Sequence, residues 1–206
     1  MKRLCAREAL KFVPEHGIIG LGGGETIRYL AENIKEAGKA VTVVTPSEQT
    51  REICLQLGLA LEETANVSEV EIAFDGCDRL DEDLNAYKSA GGIHTMEKVI
   101  ARMAKDYVLL ADETKAAEKL GYNIPIVLEI VPEAYGYVTH KVESMGGTVK
   151  RRNERLLETL FEEKPDLSWL DQELKMITGV IETSLFYHVA TKAIVTGANG
   201  IRIIEK

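Results

Sequence analysis

Residues 17–44 read GIIGLGGGETIRYLAENIKEAGKAVTVV. Gly17-Ile18-Ile19-Gly20-Leu21 is a short apolar run ending in glycines, the form of a buried strand. Thr26 to Ala37 carries Ile27, Leu30, Ala31 and Ile34 at helical spacing, and Gly38 stands where a helix stop is expected. Val41 to Val44 is a second apolar strand. Strand, glycine turn, helix, strand is the repeating unit of a parallel sheet covered by helices.

The alternation continues on both sides. Upstream, Leu4, Ala6, Leu10 and Val13 predict an amphipathic helix over residues 3 to 13. Downstream, Ser47 is placed to cap a helix running to about Leu57. Val70–Phe74 and Tyr107–Ala111 read as strands and Gly92–Ala104 as a helix. After Pro125 the pattern changes: a strand over 126–131, a helix over 133–144 closed by Gly146-Gly147, a strand over 148–152, and a charged stretch, 153–173, read as helical in part. Ala193–Thr196 and Ile201–Ile204 flank Gly197-Ala198-Asn199-Gly200, a hairpin signal. The expected fold class is α/β. A mostly parallel sheet flanked by helices spans 1–125 plus 188–206, and a smaller α+β lobe is inserted at 126–187.

Composition narrows the function. The chain has 206 residues, 45% hydrophobic and 28% charged, enough apolar content for a packed core. Its 25 basic and 33 acidic residues give a net charge of −8, which speaks against nucleic acid as a partner because phosphate backbones want a basic face. No run approaches the roughly 20 apolar residues that cross a bilayer, and the opening MKRLCAREALKFV does not read as a secretory signal. No membrane partner is therefore expected. Cys5, Cys54 and Cys77 form no CxxC pair and read as reduced thiols of an intracellular, cytoplasmic protein. His16, His94, His140 and His188 make no HxH or HExxH pattern, so no metal site is expected. His94 reads as solvent-facing and Cys77 as a small packing residue.

Four segments carry chemistry. Gly20-Leu21-Gly22-Gly23-Gly24-Glu25-Thr26 joins a strand to a helix, where glycines admit a ligand and free N–H groups meet an anion. Glu25 breaks the dinucleotide fingerprint, and no Gly-Lys-Ser/Thr follows for a Walker loop. Asp75-Gly76-Cys77-Asp78 places two carboxylates at a strand end, suited to exchanging protons with sugar hydroxyls, holding them, or simply bonding their own turn. Lys88 precedes Ser89-Ala90-Gly91-Gly92 and is placed to neutralise an oxyanion. Glu97 sits early in the following helix, as a proton-transfer base if buried or as a surface dipole partner if not. Lys115, after Ala111-Asp112-Glu113-Thr114, is placed to reach the same sheet edge.

In this order and spacing the segments resemble ribose-5-phosphate isomerase type A. That family shows a GxGTGST-like turn, a DGADE-like strand end, a KGGG…TREK segment and an ADxSK; here they read GLGGGET, DGCDR, KSAGGIHTMEK and ADETK. VLEIVPEAYGYVTHKVESMGG and ITGVIETSLF…AIVTGANGIRIIEK extend the resemblance over nearly the whole chain. It implies an aldose–ketose isomerase of the pentose phosphate pathway, interconverting ribose 5-phosphate and ribulose 5-phosphate through a cis-enediolate. Asp75 and Asp78 match the aspartates that handle hydroxyls and ring opening, Lys88 the lysine that stabilises the enediolate, and Glu97 the carboxylate that moves the proton between C2 and C1. Gly22, Gly23, Gly24, Glu25, Thr26, Gly91, Gly92 and Lys115 match the substrate-holding positions, Lys115 near the phosphate. The resemblance implies no metal, no organic cofactor, a small-molecule sugar phosphate as ligand, and a homodimer or homotetramer.

The chain departs from the family at several of these points. Gly23 replaces threonine, Glu25 replaces serine, Arg79 ends the DGADE-like run, Ser89-Ala90 replace two glycines, and a TDNGN-like strand region is missing around 153–173. A carboxylate about 4 Å from a phosphate costs about 4 kcal/mol per charge pair at an effective dielectric near 20. Either Glu25 points away, or the phosphate lies elsewhere, or the ligand differs. The alternatives to ribose-5-phosphate isomerisation are another sugar phosphate as substrate, or a non-catalytic sugar-phosphate binder on the same fold.

Overall fold

The computed structural model describes residues 1–163 and 165–205. Lys164, inside the stretch read as partly helical, and Lys206 lie outside the described residues. The central sheet has seven strands: β1 (His16–Leu21), β2 (Ala40–Val44), β3 (Ala60–Leu61), β4 (Val70–Gly76), β7 (Ala104–Asp112), β14 (Lys192–Gly197) and β15 (Gly200–Glu205), in the order β15-β14-β7-β4-β1-β2-β3. Every neighbouring pair is parallel except the terminal hairpin β14–β15. The order reverses between β1 and β4, which opens a crevice at the carboxyl ends of those two strands, the usual ligand position in such sheets.

Alternation along the strands fixes the two faces. Ile72 and Phe74 of β4 and Val108 and Leu110 of β7 pack with helices α1 (Lys2–Leu10), α2 (Glu25–Glu36) and α3 (Glu48–Leu57). Ala73, Leu109 and Ala111 face the other way, toward Ile100 and Ala101 of α4 (His94–Met103). The helix ends follow local chemistry. The Ser47 hydroxyl accepts from the Thr50 N–H to cap α3. Gly38, just past α2, takes the left-handed conformation at φ +67°.

Two smaller antiparallel or mixed sheets complete the molecule. β9 (Ile126–Ile130), β10 (Gly147–Arg151), β11 (Leu156–Phe161) and β12 (Val180–Thr183) form an antiparallel sheet in the order β10-β11-β9-β12. It buries its core against α5 (Tyr135–Ser144) and α6 (Leu167–Met176). β5 (Arg79–Asp81), β6 (Ala86–Tyr87), β8 (Ala116–Ala117) and β13 (Leu185–Phe186) form short pairs beside the crevice.

The stretch 153–173, read as helical in part, begins with a strand. Leu157, Thr159 and Phe161 are buried while Leu160 is exposed, a period of two that the flanking charges of Arg151–Arg155 hide in the sequence. α6 follows from Leu167, with Asp166 as its cap.

Gly20 lets α4 lie against the sheet. A Cβ there would stand 2.5 Å from Ile100 Cγ2 and 2.7 Å from Ala73 Cβ. Gly20→Ala is expected to lower stability by about 1–3 kcal/mol through overpacking, read as a shifted urea midpoint at unchanged slope. An unshifted midpoint would show that α4 is free to move off the sheet.

Candidate active site

The crevice between β1 and β4 is a cleft of about 340 Å³. The turn after β1 forms one wall and the turn after β4 the floor. The segment from Lys88 into α4 forms the opposite wall, and Lys115 stands at the rim. Gly22 is required by the floor: a Cβ on it would lie 1.9 Å from Asp75 Oδ1. Its N–H donates to the Phe74 carbonyl at 2.8 Å and its carbonyl accepts from Thr50 Oγ1 at 2.7 Å. Gly24, at φ +96°, turns the chain into α2.

Asp75, Lys88 and Glu97 meet at the bottom of the cleft. The Lys88 ammonium is 2.9 Å from Asp75 Oδ2, 3.3 Å from Glu97 Oε1 and donates to the Gly76 carbonyl at 2.5 Å. All three side chains are buried, at 4–8% exposure, so solvent screens these charges little. Asp75 is held on both oxygens. Oδ1 accepts from the N–H groups of Gly76 (2.8 Å) and Gly23 (3.3 Å), and Oδ2 from the Tyr107 hydroxyl (3.4 Å) as well as from Lys88.

The electrostatics separate the roles. Burial works against the Lys88 ammonium, but the Asp75 and Glu97 carboxylates together outweigh it and hold its pKa above the ordinary value. Glu97 is pushed from 4.5 to about 7, by burial first and by the Asp75 charge second, with Lys88 opposing. Burial drives the Tyr107 hydroxyl well above its ordinary value, helped by Asp75. One base poised near neutrality thus sits beside a permanent cation, the pairing that proton abstraction next to a carbonyl needs.

Asp78 acts on the loop. Its Oδ2 accepts from the N–H groups of Ser89 (2.6 Å) and Ala90 (2.9 Å), which pulls the Lys88 segment over the cleft. Asp78 is half-buried and lines the cleft, and among the described residues no donor is bonded to its Oδ1. Ser89, where the resembled family has glycine, is buried and spends its hydroxyl on the Pro125 carbonyl (2.6 Å) and Ser184 Oγ (2.9 Å). Lys115 donates to the Cys77 carbonyl at 2.7 Å, and burial pushes the Cys77 thiol up to about 12, out of thiolate chemistry.

Of the residues singled out from the sequence, Asp75, Asp78, Lys88, Glu97, Gly23, Gly24, Gly91 and Lys115 line this one cleft. Gly22 lies just beneath it with Asp75, Glu97 and Tyr107. Gly92, at φ +70°, packs under Leu156. Glu25 and Thr26 are not among the lining residues. The Glu25 carboxylate turns instead to Lys2 Nζ (2.6 Å) and the Tyr29 hydroxyl (2.7 Å), 45% exposed, the outward orientation that is the first of its three readings.

Ser47 reads in the sequence only as a helix cap, and Ile93 and Tyr107 carry no site signal there. Tyr107 reads as one more apolar strand residue, and nothing local marks its hydroxyl. His94 is not solvent-facing: it is fully buried, 3.3 Å from the Glu182 carbonyl, and burial lowers its pKa to about 4. The apolar face of α4, carrying Ile100 and Ala101, rolls it inward. Lys98 is likewise buried, donating to Glu182 (2.9 Å) and to the carbonyls of Thr183 (2.7 Å) and Leu185 (2.9 Å).

Comparison with known proteins adds independent findings. The model of the family described as ribose 5-phosphate isomerase A (phosphoriboisomerase A) matches residues 42–200. The ribose-5-phosphate isomerase A of Thermomicrobium roseum is 32% identical over 100% of this chain and 93% of its own. The crystal structure of ribose 5-phosphate isomerase A from Neisseria gonorrhoeae superposes with a TM-score of 0.92 at 29% identity, covering 99% of this chain and 95% of that one. A D-ribose-5-phosphate isomerase in complex with phospho-erythronic acid superposes with a TM-score of 0.91 at 26% identity, over 100% of this chain and 97% of that one.

A carboxyl whose folded pKa is raised from 4.5 to about 7 holds its proton longer in the folded state. Its contribution is fully present below about pH 4.5 and is lost as pH rises through about 7. Over that window the wild-type chain should lose stability relative to Glu97→Gln, measured by urea denaturation at several pH values. Parallel curves would place Glu97 in solvent.

Proposed function

Since the chain belongs to the ribose 5-phosphate isomerase A family, and so interconverts ribose 5-phosphate with ribulose 5-phosphate in the pentose phosphate pathway, we propose that Glu97 moves the proton and Lys88 holds the oxyanion. The observation that carries this reading is the buried contact of Glu97, Lys88 and Asp75 at the carboxyl ends of the sheet.

The reaction begins with ring opening. Asp75 already bonds Lys88, Tyr107, Gly23 and Gly76, so the proton exchange with the ring hydroxyl falls to Asp78 and its unbonded Oδ1. In the open chain, the ionised Glu97 takes the proton from C2. The C2–H electron pair becomes the C1=C2 double bond, and the carbonyl pair moves to O1. The Lys88 ammonium, fixed by Asp75, stabilises the oxyanion of the resulting cis-enediolate. The O2 proton passes to O1, and the double-bond pair takes the proton from Glu97 at C1, leaving the ketone at C2. Glu97 ends as it began.

The phosphate is assigned to the rim, against Lys115 and the Gly23-Gly24 turn. Ligation of a phosphorylated sugar acid by the structural relative supports a phosphate-bearing ligand in this cleft. The outward turn of Glu25 leaves that end free of its carboxylate, which supports the same placement.

General-base removal costs roughly 10²–10⁴-fold. Glu97→Gln should therefore abolish most turnover and the exchange of the C2 proton with solvent, with the fold kept as judged by circular dichroism. Exchange at the wild-type rate would remove Glu97 from the mechanism. In the wild-type enzyme kcat/KM should rise through about pH 7 as Glu97 ionises. Lys115→Met should raise KM for ribose 5-phosphate while changing kcat little, the pattern of a group that binds ground state and transition state alike. An unchanged KM would move the phosphate away from Lys115.

A further inference from the structure

Arg152 lies outside the cleft, on the turn between β10 and β11, yet it reaches the catalytic loop. Its Nη1 donates to the Ser89 carbonyl at 2.7 Å and its Nη2 to the Ala90 carbonyl. On the opposite side of the same two residues, Asp78 Oδ2 accepts both N–H groups. The loop following Lys88 is thus gripped through its carbonyls by a cation and through its amides by an anion. A second contact comes from the start of β11: Leu156 packs so closely against Gly92 that a Cβ on that glycine would lie 2.8 Å from Leu156 Cδ1.

The grip has a directional consequence. A trans peptide is planar, with its C=O and N–H opposed. The Ala90 carbonyl is drawn to Arg152, so the Gly91 N–H on the same peptide points the other way. Gly91 lines the cleft, and among the described residues its N–H has no acceptor. A guanidinium bonded to the carbonyl draws electron density across the peptide and strengthens that N–H as a donor. Two charge-assisted bonds from a planar fork also fix the orientation in a way that one ammonium does not.

We propose that Arg152 is a positioning residue of the isomerase, setting the Ser89–Gly91 peptides so that Lys88 and the Gly91 N–H face the developing oxyanion together. The inference rests on the placement of the chemistry at Glu97 and Lys88. Arg152 touches no substrate, so its loss weakens the transition state more than binding. Outright loss of an oxyanion donor costs roughly 10²–10³-fold. A donor misaligned rather than removed costs less, so Arg152→Ala should lower kcat by roughly 10–10²-fold with KM within about twofold.

The experiment measures kcat and KM for ribose 5-phosphate in Arg152→Ala, Arg152→Lys and Glu97→Gln, each with a thermal melt. Millimolar guanidinium chloride, far below denaturing concentration, is then added, with sodium chloride as control. The expected result is a kcat loss in Arg152→Ala, a smaller one in Arg152→Lys, and partial recovery of Arg152→Ala by guanidinium but not by sodium. Wild-type kcat in Arg152→Ala, or a kcat loss that comes with a lowered melting temperature and is not recovered by guanidinium, overturns the proposal while an inactive Glu97→Gln leaves the site reading standing. If Glu97→Gln also turns over normally, the site reading itself has failed and the role of Arg152 falls with it.

Discussion

A buried ammonium between two carboxylates organises this molecule's chemistry. Lys88 bonds Asp75 and the Gly76 carbonyl and lies 3.3 Å from Glu97. One positive charge cannot neutralise two negative ones in a poorly screened site, so the Asp75 charge works against ionisation of Glu97. Asp75 accepts bonds from two N–H groups and a hydroxyl, which fix its position at the bottom of the cleft. The Glu97 carboxylate has Lys88 as its one polar partner among the described residues, and burial first, the Asp75 charge second, raise it to about 7. The asymmetry in hydrogen bonding suits Asp75 to anchoring Lys88 and leaves Glu97 for the proton transfer proposed above.

The sheet supplies the geometry that this arrangement demands. Asp75 is the next-to-last residue of β4, Gly22 follows β1, and the strand order reverses between them. The carboxylate occupies space that any side chain at Gly22 would fill. α4 carries Glu97 and is pressed against the same sheet over Gly20 and Ala73 by Ile100. Close packing at these small residues brings a helix-borne base within reach of a strand-end aspartate, and it costs the site none of the flexibility of a long loop.

What was legible in the sequence is what local pattern encodes. The glycine turn after Leu21, the Ser47 cap and the aspartates after Phe74 announce strand ends and helix starts, and the structure places them so. The strand Leu156–Phe161 was missed because charged neighbours masked its period of two. Strands of two or three residues, such as Ala86–Tyr87 and Leu185–Phe186, carry no periodicity at all. His94 misled because a polar residue near a helix start usually faces water, whereas here it is fully buried against the β12 backbone. Lys98, Tyr107 and Arg152 act through partners 84, 32 and 62–63 residues away in the chain, distances over which no sequence window reports.

Glu25 shows how such a distant partner settles a local conflict. At the first position of α2 its carboxylate favours the helix dipole, but beside a phosphate it would repel. The structure separates these effects by side-chain direction. Lys2 on α1 and Tyr29, one turn along α2, draw the carboxylate outward, with Arg28 nearby, and lower its pKa, chiefly through the Lys2 bond. An exposed pair of this kind stabilises the fold little. Its effect is on the charge around the cleft: the Glu25 carboxylate is spent on a cation outside the cleft lining. The Glu25 carboxylate therefore stays out of the cleft lining, and the chain keeps the fold of its family with a turn that differs from the family's pattern.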